Sequence, residues 1–80
     1  MRNDAALFPI RGLVERTGVN ASTLRAWENR HGLLRPARTE SGHRLYSQVD
    51  VARVQRIQEL LAQGLALNRV AARLEKELGG

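Results

Sequence analysis

Residues 20 to 32 read Asn20-Ala21-Ser22-Thr23-Leu24-Arg25-Ala26-Trp27-Glu28-Asn29-Arg30-His31-Gly32, and this stretch predicts one short helix with a defined start and end. Asn20 suits the N-cap because its side-chain oxygen can accept hydrogen bonds from the first turn, and Gly32 suits the left-handed position that ends a helix. Helical spacing puts Leu24, Trp27 and His31 on one side. The other side carries Ser22, Arg25, Ala26, Asn29 and Arg30. One face is therefore predicted to pack and the other to make contacts.

The contact face carries the side-chain types that read DNA in the major groove. Arginine pairs with guanine, asparagine with adenine and serine with either, while a small alanine lets the helix approach closely. An ordinary solvated helix face has a similar composition, so the face alone does not decide its role. The neighbouring sequence is needed to decide it.

A shorter helix is predicted immediately before this one, over about residues 11–17, with Gly18 ending it. The turn at residues 18–20 then joins two short helices. This arrangement matches a helix-turn-helix, whose second helix enters the major groove, although plain helical bundles contain similar hairpins.

The stretch that follows predicts a two-stranded hairpin, whose tip and second strand we call the wing (residues 37–46). Residues 33–36 and Leu45-Tyr46 read as the strands of the hairpin, and the polar residues between them as a flexible tip. Arg38, His43 and Arg44 lie at this tip, where they can reach phosphates or a narrow minor groove. An ordinary polar loop is the alternative.

Two further helices are predicted after the wing. Ser47 and Asp50 form a capping box, and the helix behind it runs to about Ala62. Its Arg53 and Arg56 are expected on an outer edge, where they are solvated or touch phosphates. Its predicted inner edge consists of Val51, Val54, either Ile57 or Gln58, and Leu61.

The final amphipathic helix is predicted to run to about Leu78. Residues 9–78 are therefore expected to form one domain. Residues 1–8 have no periodicity and are expected to be a flexible tail, and residues 79–80 a frayed end.

Composition narrows the class of protein. Eighty residues make one small domain, and the lack of cysteine excludes a thiolate zinc site or a thiol nucleophile. The sequence has no apolar run of about 18 residues and no signal-peptide pattern. We therefore expect a cytoplasmic protein that has no membrane partner.

The positive charge is concentrated around the helix-turn-helix and the wing. The whole chain has a net charge of +5, and residues 11–56 contain nine arginines against four acidic side chains. Because arginine binds phosphate and guanine through two parallel hydrogen bonds, this clustering favours an anionic polymer as partner.

The order of motifs resembles the N-terminal DNA-binding domain of MerR-family transcription regulators, over about residues 8–75. The resemblance implies a mainly α winged helix-turn-helix with about four helices and a small hairpin. It also implies binding to a double-stranded operator, an inverted repeat, with no cofactor in this domain. The matching segments are Thr23-Leu24-Arg25-Ala26-Trp27-Glu28, His31-Gly32-Leu33-Leu34-Arg35-Pro36, Arg38-Thr39, Gly42-His43-Arg44-Leu45-Tyr46-Ser47 and Asp50-Val51.

The resemblance also implies a set of contact residues. Arg25, Asn29 and Arg30 would lie in the major groove. Tyr46 would pack the wing against the body, with its hydroxyl free to reach a phosphate. The complete predicted DNA-binding set is Ser22, Arg25, Ala26, Asn29, Arg30, Arg38, His43, Arg44, Tyr46 and Arg53.

The sequence departs from the common family pattern at Ala26, where most members have a second aromatic residue. This version is similar to a branch of light- and stress-responsive regulators whose C-terminal domain often binds vitamin B12. Family members continue into a long dimerisation helix and an effector domain. We therefore expect a fragment of a longer regulator that is a homodimer when complete and a monomer as these 80 residues.

Two other classes of function stay open. A protein-interaction module could dock its basic face on an acidic, DNA-mimicking antagonist, and only sequence preference for DNA separates the two. A phage-type winged-helix protein would share the fold but lack the Arg44-Leu45-Tyr46-Ser47 series. Catalysis is not expected, because His31 and His43 are the only histidines and no catalytic or metal-ligand spacing appears.

Overall fold

The computed structural model describes residues 7–78, apart from the side chain of Leu78, and contains four helices and one hairpin in that range. The helices are α1 (Ile10–Thr17), α2 (Ala21–His31), α3 (Gln48–Ala62) and α4 (Leu67–Leu78). The strands β1 (Ala37–Arg38) and β2 (Arg44–Leu45) pair antiparallel between α2 and α3. The predicted mainly α winged helix-turn-helix is thus confirmed. None of these helices is long and apolar enough to span a membrane.

Local signals fix the ends of the helices. The Asn20 side chain accepts from the Thr23 N–H at 2.8 Å, which caps α2 as predicted. Gly18 and Gly32 end α1 and α2 with φ angles of 76° and 60°, which glycine adopts without steric cost. Ser47 caps α3 through the predicted capping box.

The apolar core lies where α3 packs against α1 and α4. Trp27 and Leu24 anchor α2 on this core and leave its opposite face outside, as the helical spacing predicts. The buried apolar residues are Leu13, Leu24, Trp27, Leu33, Leu34, Tyr46, Val51, Val54, Ile57, Leu60, Val70 and Leu74.

Two details of the core differ from the prediction. On α3 the inner face ends with Leu60, which is fully buried, whereas Leu61 is 36% exposed. The expectation for Leu61 was wrong because Leu60, which is 100° away around the helix, takes the inner position instead. Leu33 and Leu34 form no strand, since both side chains are buried in one core and neighbouring strand residues would point to opposite faces.

Phe8 is part of the fold, so the predicted flexible tail was wrong at this residue. Its backbone N–H donates to the Tyr46 carbonyl at 2.9 Å, and its carbonyl accepts from the Tyr46 N–H at 2.7 Å. Its ring lies 3.9 Å below the Arg16 guanidinium and covers Gly12, where a Cβ would come within 3.0 Å of the Phe8 Cβ. Residues 1–6 of the predicted tail and the predicted frayed end, 79–80, lie outside the described residues.

The neighbours Leu60 and Leu61 offer a matched test of this core. Leu60→Ala is expected to lower the free energy of unfolding by about 2–4 kcal/mol, because it leaves a cavity between α3 and α4. Leu61→Ala should cost less than about 1 kcal/mol. Urea unfolding followed by the fluorescence of the single tryptophan measures both. Equal losses in the two variants would contradict the assignment of the inner face.

Candidate nucleic-acid interface

The outward face of α2 carries the residues that the sequence assigned to DNA contact. Ser22, Arg25, Asn29 and Arg30 are exposed, and Ala26 is half-buried among them. Burial of Leu24 and Trp27 beneath them sets the rotation of the helix. The structure therefore brings the five predicted α2 residues onto one surface.

The tip of the wing is closed by its own hydrogen bonds. The Gly42 N–H donates to the Thr39 carbonyl and the Thr39 N–H to the His43 carbonyl, each at 2.9 Å. Gly42 has a φ of 88°, which a side chain would disfavour. Ser41 Oγ lies 2.9 Å from His43 Nδ1, and the Arg38 guanidinium donates to the Gly42 carbonyl at 3.3 Å. These contacts link the residues of the tip to one another, while Arg38 and His43 stay exposed.

Glu28 connects the wing to α2. One carboxylate oxygen accepts from the Tyr46 hydroxyl at 2.8 Å, and the other pairs with Nε of Arg44. The Glu28 side chain is only 10% exposed. Sequence reasoning missed this role, because Glu28 stands 16 and 18 residues from its two partners. The co-occurrence of Trp-Glu with Arg-x-Tyr in the family motif was the one signal that could have indicated it.

A groove of about 380 Å³ lies between α2, the wing and the start of α1. Arg25 of α2 and His43 and Arg44 of the wing line it together with apolar side chains. Two separate predicted contact elements thus share one concave, cationic surface.

Tyr46 packs the wing against the body as predicted, but its hydroxyl is not free. The residue is 1% exposed, and the hydroxyl donates to Glu28. Burial, and then the hydrogen bond to Glu28, raise the pKa of Tyr46 to about 12. In this arrangement Tyr46 supports the interface from behind and offers no group to a phosphate.

Arg53 corrects another expectation. It is 5% exposed, not on an outer edge, and its Nε donates to the Leu33 carbonyl at 2.7 Å. Burial, and then the nearby charge of Arg35, lower the pKa of Arg53. Arg53 lies three residues after the buried Asp50 and four before the buried Ile57, a spacing that places it on the inner face, but its charge suggested the outer one. Its long aliphatic stem lets it be buried there.

Arg56 is committed to acidic neighbours. Its guanidinium donates to both oxygens of Glu77 at 2.7 and 2.8 Å and to Glu59 at 2.9 Å. These contacts raise the pKa of Arg56 and hold α4 against the outer part of α3. Within residues 7–78, no three His, Asp or Glu side chains converge in the way that a metal site needs.

The sequence matches the family described as MerR HTH family regulatory protein over residues 8–77. The HTH-type transcriptional regulator MlrA of Escherichia coli strain K12 is 38% identical over 72 residues, which cover 90% of this chain and 30% of MlrA. The chain therefore spans less than a third of the length of this relative.

Two solved structures share the fold. The N-terminal domain of the CarA repressor, a Myxococcus xanthus protein, is 36% identical, with a TM-score of 0.68 over 90% of this chain and 91% of that one. HiNmlR, a MerR family regulator lacking the sensor domain, was solved bound to promoter DNA. It is 24% identical, with a TM-score of 0.81 over 94% of this chain and 60% of that one.

The titration of Tyr46 tests the contact between the wing and α2. Because its folded pKa is raised from 10 to about 12, Tyr46 contributes stability that is present below pH 10 and is lost as the pH rises toward 12. As the single tyrosine, it can be followed by tyrosinate absorbance. We expect a native midpoint about two pH units above that in urea. Coincident midpoints in a folded protein would contradict the buried hydroxyl.

Proposed function

We propose, from the premise that this chain belongs to the MerR family of helix-turn-helix regulatory proteins, that it binds double-stranded DNA with sequence preference as part of a transcription regulator. The observation that carries the proposal is the shared surface of α2 and the wing, where Arg25, His43 and Arg44 line one groove. A duplex in contact with α2 would place a backbone strand along this groove.

In this proposal α2 lies in the major groove. Arg25, Asn29 and Arg30 contact base edges, because their guanidinium and amide groups match guanine and adenine. Ser22 and Ala26 lie against the wall of the same DNA major groove. The exposed Arg38 and His43 of the wing contact the backbone or the minor groove.

The predicted contact set therefore changes by two residues. Tyr46 and Arg53 leave it, because both are buried and both use their polar groups inside the domain. Arg44 stays in it, since its side chain is 39% exposed even though its Nε pairs with Glu28.

We also propose how the domain acts in the complete protein. Two copies of the domain, brought together when the full-length regulator forms a homodimer, read an inverted-repeat operator in the cytoplasm. The 80 residues alone bind as a monomer. Similarity to the CarA repressor favours repression. HiNmlR, which shares the fold, carries promoter DNA in its structure. We propose no catalytic role.

Selection from a random duplex library with the 80-residue chain, at two salt concentrations, tests this function. We expect an enriched half-site that is retained at the higher salt, because base contacts add to the salt-sensitive attraction of phosphates. Salt-sensitive binding without an enriched motif would refute sequence-specific binding and favour an acidic protein as the partner.

Arg30→Ala then tests base reading by α2. The affinity for the selected site should fall by about 1–3 kcal/mol, with relaxed preference at one base pair. Arg69→Ala, on α4 and outside the proposed interface, is the control because it removes the same charge. Anisotropy titrations with selected and random duplexes measure both variants. Equal losses on the two duplexes for Arg30→Ala would contradict base reading.

A further inference from the structure

Glu28 is the acidic residue of a helix whose proposed partner is an anionic polymer. It lies on α2 between the buried Trp27 and the exposed Asn29, at the border of the proposed interface. A negative charge at this position opposes the long-range attraction between the domain and DNA. The residue therefore needs a role that offsets this loss.

The contacts of Glu28 indicate what that role is. Both of its carboxylate oxygens are used by the wing, one by the Tyr46 hydroxyl and the other by Arg44. Arg44 belongs to β2 and Tyr46 follows it directly, so both contacts hold the same strand. A single short side chain thus sets the separation between α2 and the wing.

Other contacts hold the base of the wing to α3, through Asp50, but do not join the wing to α2. The strands of the wing contain two residues each, and a two-stranded hairpin is marginally stable on its own. The Phe8 backbone holds the residue that follows β2, through the two hydrogen bonds to Tyr46. Within residues 7–78, the hydrogen bonds that join the wing to the helix with the proposed base-reading residues are those of Glu28.

We propose that Glu28 is a positioning residue that increases the sequence specificity of DNA binding at the expense of overall affinity. This inference rests on the proposed function. By fixing the wing relative to α2, Glu28 keeps contacts in the major groove and contacts on the backbone in the same register. A wing that is no longer joined to α2 still attracts phosphates, but it favours less strongly the position at which α2 meets its bases.

Glu28→Gln separates this role from two simpler ones, because each predicts a different pair of changes. The amide keeps an acceptor for Tyr46 and loses the charge that pairs with Arg44. We expect the affinity for the selected site to fall about three- to tenfold, while the affinity for random duplex stays constant or rises, since one negative charge is removed. The specificity ratio therefore falls.

Glu15→Gln is the matched control, since Glu15 is an exposed acid on α1 and the charge change is the same. It should alter the two affinities equally. Anisotropy titrations at one salt concentration give the affinities, and urea unfolding gives the folded fraction at which each is measured.

Each other outcome overturns the inference in a recognisable way. If Glu28→Gln raises both affinities as Glu15→Gln does, Glu28 acts through its charge alone. If it lowers both in proportion to the folded fraction, Glu28 only supports the fold. A wild-type chain without sequence preference would instead refute the proposed function, and the inference with it.

Tyr46→Phe keeps the test decisive if Glu28→Gln does not fold. It removes one contact of Glu28 and no charge, so the affinity for the selected site should fall less than in Glu28→Gln. Binding to random duplex should not change. An unchanged specificity ratio in folded Tyr46→Phe would contradict the positioning role.

Discussion

The carboxylate of Asp50 is the contact on which the arrangement of the wing depends. It is 2% exposed, and its two oxygens accept from the backbone N–H groups of Arg35 and Ser47, each at 3.1 Å. Arg35 comes shortly before β1 and Ser47 shortly after β2, so one side chain on α3 holds both ends of the wing. A buried carboxylate without donors is strongly unfavourable, so the wing cannot leave this position without leaving Asp50 unpaired.

Two other polar side chains, Arg53 and Glu28, also help to hold the wing and the chain before it in place. Arg53, one turn along α3, holds the Leu33 carbonyl and so fixes the chain between α2 and the wing. Glu28 links the wing to α2 through the Tyr46 hydroxyl. A core of this size supplies only a few kcal/mol of net stability, and buried charged groups add little to it. These polar contacts instead determine the orientation of the wing relative to α2. The proposed reading of bases depends on that orientation.

The sequence predicted what local signals determine and failed where distant residues decide. Asn20 and Gly32 mark the ends of α2 by their own chemistry, so its bounds and its two faces were predictable. The burial of Arg53 depends on an acceptor 20 residues away, and the order at Phe8 depends on pairing with Tyr46. Helical spacing puts Arg53 on the inner face, but it does not show the acceptor that lets a charged side chain be buried there. Leu60 and Leu61 are adjacent apolar residues, and only the packing around α3 distinguishes them.

The charged residues of the proposed interface have two different roles. Arg25, Arg30 and Arg38 are exposed, and in the proposed interface they supply the attraction to an anionic partner, which acts on any sequence. Glu28 and Arg44 pair with each other, so together they add almost no net charge. Their interaction instead fixes the position of the wing relative to α2. Electrostatic attraction alone cannot discriminate between DNA sequences. Correctly positioned contact residues alone do not attract DNA over a distance. Because the proposal gives the two roles to different residues, it implies that a change in the wing contact alters specificity without abolishing binding.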